Sequence, residues 1–205
     1  MTCDVTLCLD ATGSMGRLID VLIDRLPTML EKAAAACERA GEALRVRAVV
    51  YRDFSADPEP IMESCFYEIP TEGEELLAFL KSVWAAGGGD LPEDGLEALA
   101  LSLQTEGDAV ARRAVVLFTD SPAHPLGEHA WAVSYPDGMP RDLAELHALF
   151  SGVPCRLSLF APNVEPWCTL AAWEEVTHFP VTVSELYYQL SEEDMTAGLM
   201  DAINM

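Results

Sequence analysis

Segments of two periodicities alternate along this chain, and that alternation most restricts how it can fold. Residues 3–9, CDVTLCL, follow the two-residue period of a strand, with Val5, Leu7 and Leu9 on one face. From Met15 to Ala33 the apolar residues instead recur at steps of three and four, the period of a helix packed along one side. The exchange then repeats: LRVRAVVY (44–51) reads as a strand, ESCFYEI (63–69) as a shorter strand and GEELLAFLKSV (73–83) as a helix. PEDGLEALALSLQ (92–104) predicts a helix, RAVVLFT (113–119) a strand, RDLAELHALF (141–150) a helix and CRLSLFA (155–161) a strand. EPWCTLAAWEEV (165–176) predicts a further helix, FPVTVSEL (179–186) a strand, and a last helix starts near residue 192. Inside the first helix Pro27 removes one backbone hydrogen bond and predicts a kink, and Gly41 supplies a stop. Such alternation predicts an α/β fold, a doubly wound and mostly parallel sheet with helices on both faces.

With 205 residues, 50% of them hydrophobic, the chain suits one sizeable core, so residues 1–205 are expected to form a single domain. Its 34 acidic residues against 12 basic ones give a formal net charge of −22, which predicts neither nucleic acid nor membrane as a partner. The same field concentrates cations at any carboxylate-lined cleft. The six cysteines (Cys3, Cys8, Cys37, Cys65, Cys155 and Cys168) include no Cys-x-x-Cys pair, and the four histidines do not stand at zinc-finger spacings from them. Buried free thiols are the expectation. The sequence opens into a strand rather than a basic and apolar leader, and no apolar run nears the ~20 residues of a membrane span. A reducing cytoplasm is the expected location.

Three predicted strands run straight into an acidic residue: Leu9 into Asp10, VVYR into Asp53 and LFT into Asp120. In an open parallel sheet these positions lie at the carboxyl edge, where ligands bind in a crevice. Asp10 and Asp120 are therefore predicted to converge, with Asp53 a further candidate. Thr12 and Ser14 add two hydroxyls on the same turn as Asp10, and hard cations such as Mg²⁺ prefer such oxygen ligands. A competing role is helix capping by Thr12 or Ser14, with Asp10 favouring the positive helix end. Capping leaves the position of Asp120 unexplained.

DATGSM (10–15) and the later LFTDSP (117–122) resemble the von Willebrand factor type A domain, whose metal-ion-dependent adhesion site carries Asp-x-Ser-x-Ser, a distant Thr and a distant Asp. Thr12 stands in place of the first serine and Asp120 matches the distant aspartate. The order of elements fits over nearly the whole chain, and the resemblance implies a Rossmann-like, six-stranded sheet with one short antiparallel edge strand. It also implies a divalent cation, Mg²⁺ or else Mn²⁺ or Ca²⁺, held by Asp10, Thr12, Ser14 and Asp120. The middle of the chain departs from the pattern, because WAAGGGDLPEDGLEAL (84–99) offers no threonine. It looks like a subgroup with Gly-Gly-Gly-Asp-x-Pro-Glu, in which Asp90 is the substitute ligand. Asp90 has a second role open to it: with Glu93 three residues on, it starts a helix as a capping box does, Pro92 being tolerated in the first turn. As a ligand it would bring the site to a charge of about −1, favouring the cation over an incoming acidic group. YRDF (51–54) is similar to the same subgroup, and Asp53 either supports the ligands from behind or makes a strand-end turn.

Domains of this family mediate metal-dependent protein contacts, so the resemblance implies a binding module and no enzyme. One coordination position would receive an acidic side chain of a protein partner, within an adaptor or subunit of a larger intracellular assembly. The long loop over the same edge carries His124, Trp131 and Tyr135, the candidate partner contacts. The alternative is a serine hydrolase with Ser14 at a strand-to-helix elbow, Asp120 as orienter and His124 or His129 as base. Against it, TGSMG lacks the first glycine of Gly-x-Ser-x-Gly, and Asp10 beside the nucleophile opposes an oxyanion.

Overall fold

A computed structural model describes residues 1–89, 91–104, 111–181 and 191–203. The chain runs β1 (Thr2–Asp10), a single 3-10 turn (Gly13–Met15), α1 (Gly16–Arg39), β2 (Ala43–Tyr51), β3 (Ile61–Glu63), β4 (Tyr67–Ile69) and α2 (Gly73–Ser82). It continues with α3 (Gly95–Leu103), β5 (Arg112–Phe118), α4 (Leu143–Ser151), β6 (Cys155–Ala161), α5 (Trp167–Leu170), β7 (Val176–Pro180) and α6 (Glu192–Ile203). The sheet has seven strands in the order β3-β2-β1-β5-β6-β7, with β4 also paired to β2. β2, β1, β5, β6 and β7 are mutually parallel, whereas β3 and β4 run antiparallel to β2 at the edge.

Alternation along each strand divides the apolar residues between two cores. Val5, Leu7 and Leu9 of β1 pack with α1, α2 and α6 on one face, while Cys8, Val49 and Leu117 pack with α3, α4 and α5 on the other. Both faces are thus covered, as a parallel sheet requires. The α/β, doubly wound architecture agrees with the alternation read from the sequence. α1 runs unbroken through Pro27 and ends at Gly41, whose φ of +74° suits a residue without a side chain. Among the described residues, no helix is long and apolar enough to cross a membrane.

Several boundaries differ from the sequence reading. The strand expected over 63–69 is two short strands, because Ser64 turns its own backbone and hydroxyl onto Ala48 (3.0 and 2.9 Å) and breaks the run. That division makes seven strands rather than six. The helix expected over 165–176 stops at Leu170, since Glu175 O accepts from Leu157 N at 3.0 Å and draws the chain into the sheet as β7. β7 accordingly begins three residues before the expected strand, of which residues 182–186 lie outside the described residues. Helix α3 begins at Gly95 instead of residue 92, because Glu93 N bonds Pro122 O (3.0 Å) and His124 N bonds Glu93 O (2.9 Å) in a short parallel bridge. Glu93 is therefore no part of a capping box.

Phe160 is clamped between two rings, with centroid separations of 4.7 Å to Phe118 and 4.6 Å to Phe179. Helix α6 crosses this stack at Gly198, where a Cβ would overlap the Phe160 ring. Gly198→Ala should therefore lower stability by about 1–3 kcal/mol, even though alanine is the better helix former by about 1 kcal/mol. A reduced midpoint in denaturant unfolding with an unchanged slope would register this.

Candidate functional site

β1 and β5 are adjacent and parallel, with Leu9 opposite Phe118, so the chain leaves both strands at the same edge. β2 lies beyond β1 and β6 beyond β5, which makes this gap the point where the winding direction reverses and a crevice opens. Asp10, the last residue of β1, is fully buried there. Its Oδ1 accepts from Thr12 N (2.9 Å) and Thr12 Oγ1 (2.7 Å), and its Oδ2 accepts from Thr119 Oγ1 (2.8 Å). Thr12 Oγ1 lies 3.5 Å from Ser14 Oγ, which donates to Asp120 Oδ1 at 3.0 Å. Ser121 Oγ reaches the same Asp120 oxygen at 3.1 Å. Asp10, Thr12, Ser14 and Asp120 thus form one continuous run of oxygens, while neither Thr12 nor Met15 caps its helix with a side chain. Asp90 lies outside the described residues.

The glycine-rich loop closes over this run. Ala86 N donates to Ala11 O (3.0 Å) and Gly13 N to Gly87 O (3.4 Å), tying the loop to the turn after β1. Gly87 and Gly88 have φ of +72° and +78°, and a Cβ on Gly88 would come within 2.8 Å of Glu93 Oε1 and 3.2 Å of Thr12 Cβ. Glycine is needed here both for backbone conformation and for close approach.

A second set of groups lies alongside. Asp53 is fully buried, as are His124 and His129 to within a few per cent. His129 Nδ1 donates toward both oxygens of Asp94 at 3.0 Å and lies 3.7 Å from Asp53 Oδ1, while His124 Nε2 lies 3.9 Å from Asp53 Oδ2. Asp94 Oδ2 also accepts from Phe54 N at 2.6 Å. His124 therefore sits in the interior beside Asp53. Tyr135 donates its hydroxyl to Glu97 Oε1 (2.9 Å) and tilts its ring against Phe54, which pins the loop down. Trp131 is 71% exposed.

Burial governs the electrostatics. Burial pushes Asp10 up to about 6, with Thr12 and Thr119 pulling the other way. Glu93 is pushed up to about 9 by burial and by the carboxylates of Asp10, Asp53, Asp94 and Asp120. Burial raises Asp94 as well, against the Phe54 amide and His129. Burial opposes a charged His129, but the hydrogen bond and charge of Asp94, helped by Asp53, outweigh it and raise its pKa. The sequence reading did not assign Thr119, Glu93, Asp94 or Glu97 to this edge. The run of acids at 93, 94 and 97 after the glycines was the available signal.

Comparison with protein-family models finds no match, and comparison with curated proteins finds none. Among solved structures, the chain is similar to the pilus adhesin SpaC from Lactobacillus rhamnosus GG in its open conformation, with a TM-score of 0.44 and 14% identity. The similarity covers 58% of this chain and only 14% of the adhesin.

Glu97 offers a direct check on these electrostatics. It is fully buried, accepts from Gly127 N (3.0 Å) and Tyr135, and is pushed up by burial to about 7 from an ordinary 4.5. The folded state holds the Glu97 proton more tightly than the unfolded state, so stability falls as pH rises from about 4.5 to about 7. Glu97→Gln keeps the acceptor and removes the titration. Its stability relative to the parent should rise by about 3 kcal/mol across that window, as read by chemical denaturation at either end.

Proposed function

We propose that this chain is a von Willebrand factor type A-like domain that binds a protein partner through a divalent cation at the carboxyl edge. The observation that carries the reading is the run of oxygens from Asp10 through Thr12 and Ser14 to Asp120, at successive separations of 2.7, 3.5 and 3.0 Å. Octahedral coordination at about 2.1 Å places neighbouring ligands about 3 Å apart, so these oxygens are spaced as Mg²⁺ ligands are. Mn²⁺ and Ca²⁺ suit the same donor types. The cation would supply a Lewis-acidic position for a partner's carboxylate, and no bond is made or broken. Ser14 donates to a carboxylate, Asp120, an arrangement that favours cation binding over nucleophilic attack. The acidic surface and the expected reducing location fit an adaptor or subunit of a cytoplasmic assembly.

Millimolar Mg²⁺ or Mn²⁺ should raise the melting temperature, because a ligand of the folded state alone adds about 2.7 kcal/mol at a hundred times its Kd. For a chain of this size that is a rise of roughly 5–10 °C. Asp10→Ala and Asp120→Ala should each abolish the rise, and a wild-type melt unmoved across a metal titration would count decisively against the reading.

Trp131 stands exposed on the loop above the site and can bury a large area on a partner. Trp131→Ala should leave the metal-induced melting shift intact while weakening EDTA-sensitive partner capture at least tenfold, measured by affinity purification with and without chelator.

A further inference from the structure

We propose that Asp53, His124 and His129 form a second cation site, one for a transition-metal dication of the zinc type. Atoms from these three residues capable of ligation all lie within 4.8 Å of one another, and all three side chains are buried. The nearest approaches are 3.7 Å between His129 Nδ1 and Asp53 Oδ1 and 3.9 Å between His124 Nε2 and Asp53 Oδ2. Tetrahedral zinc with bonds of about 2.0–2.1 Å sets its ligand atoms about 3.3–3.4 Å apart, so small side-chain rotations bring this set to bonding geometry.

An independent observation points into the same space. Asp53 Oδ2 is buried and has no hydrogen-bond partner. A buried carboxylate oxygen left in this state is costly, and it faces the histidines. Donor chemistry then selects the ion. Imidazole nitrogens suit Zn²⁺ and its neighbours, whereas Mg²⁺ and Ca²⁺ take oxygens, so this set differs in kind from the oxygen run at Asp10 and Asp120. Charge agrees as well: two neutral imidazoles with the carboxylates of Asp53 and Asp94 sum to −2, which a dication neutralises. On binding, the ion takes the lone pair at His129 Nδ1: the proton that Nδ1 shares with Asp94 goes to solvent while Nε2 carries the ring's one remaining proton, so the bound imidazole is neutral. The group formed by Cys3, Cys37 and Glu42 is a weaker candidate, because Arg112 already pairs with Glu42.

Titrating the full chain with Co²⁺ should develop visible ligand-field bands that an equivalent of Zn²⁺ removes and excess Mg²⁺ does not. Asp53→Asn, His124→Gln and His129→Gln should each weaken zinc about a hundredfold or more. The wild-type protein gives a reading independent of any variant's folding. In ring-nitrogen NMR, one equivalent of Zn²⁺ should shift His124 and His129 and leave His147 and His178 in place. Zinc that shifts all four histidines alike, or that binds the three ligand variants as tightly as the parent, overturns the site. So do cobalt bands that vanish in Asp10→Ala but persist in His124→Gln, because the metal then sits on the oxygen run. Failure of the Mg²⁺ melting shift bears only on the function proposed above and leaves the zinc result standing.

Discussion

A carboxylate with no exposed surface, at the end of a central strand, sets the terms for everything around it. Asp10 is held by three hydrogen bonds from uncharged donors, two on Thr12 and one on Thr119. Those bonds fix the turn after β1 against the end of β5, which places Ser14 on Asp120. They do not replace the hydration lost on burial, as the elevated pKa of about 6 shows. Elsewhere the sheet treats its acids differently. There Arg45 clasps Asp4 with bonds of 2.8 and 2.7 Å, and Arg47 reaches Glu63 at 3.0 Å. At the carboxyl edge Arg52 is buried too, but its guanidinium is spent on backbone carbonyls. The acids there have been given hydroxyls and imidazoles as neighbours, which is the setting in which the proposed cations would compensate charge.

The two donor sets meet at Glu93. Its carboxyl lies under Gly88, near Thr12, and carries an Oε2 that is buried without a hydrogen-bond partner. Burial first, and then the carboxylates of Asp10, Asp53, Asp94 and Asp120, push its pKa up to about 9. A change of charge in either set is therefore felt at this single residue.

Legibility in the sequence followed the range of the interactions involved. The β/α alternation and the strand-end aspartates are local patterns, so the doubly wound sheet and the meeting of Asp10 with Asp120 could be read directly. Glu93 reads locally as part of a helix start, but its backbone is captured by Pro122 and His124 from another segment. His124, beside a proline in a long loop, looks like a surface residue, yet it lies inside next to Asp53, as His129 lies next to Asp94. The early stop of α5 has the same origin, since the pairing of Glu175 with Leu157 outcompetes a helical period. Tyr135 reads equally as a partner anchor or as a residue that pins the loop, and its bond to Glu97 on a distant helix supplies the pinning contact.

Arg52 carries one further consequence. Its three nitrogens reach Ala11 O (3.3 Å), Glu59 O (3.2 Å) and Trp84 O (2.7 Å), and its guanidinium lies 5.6 Å from the centre of the Trp84 ring. Ala11 precedes the hydroxyl-bearing turn and Trp84 precedes the glycine loop, so one planar, rigid group spans both walls of the crevice. Cross-linked in this way, the crevice would order little chain as a cation of the kind proposed enters it.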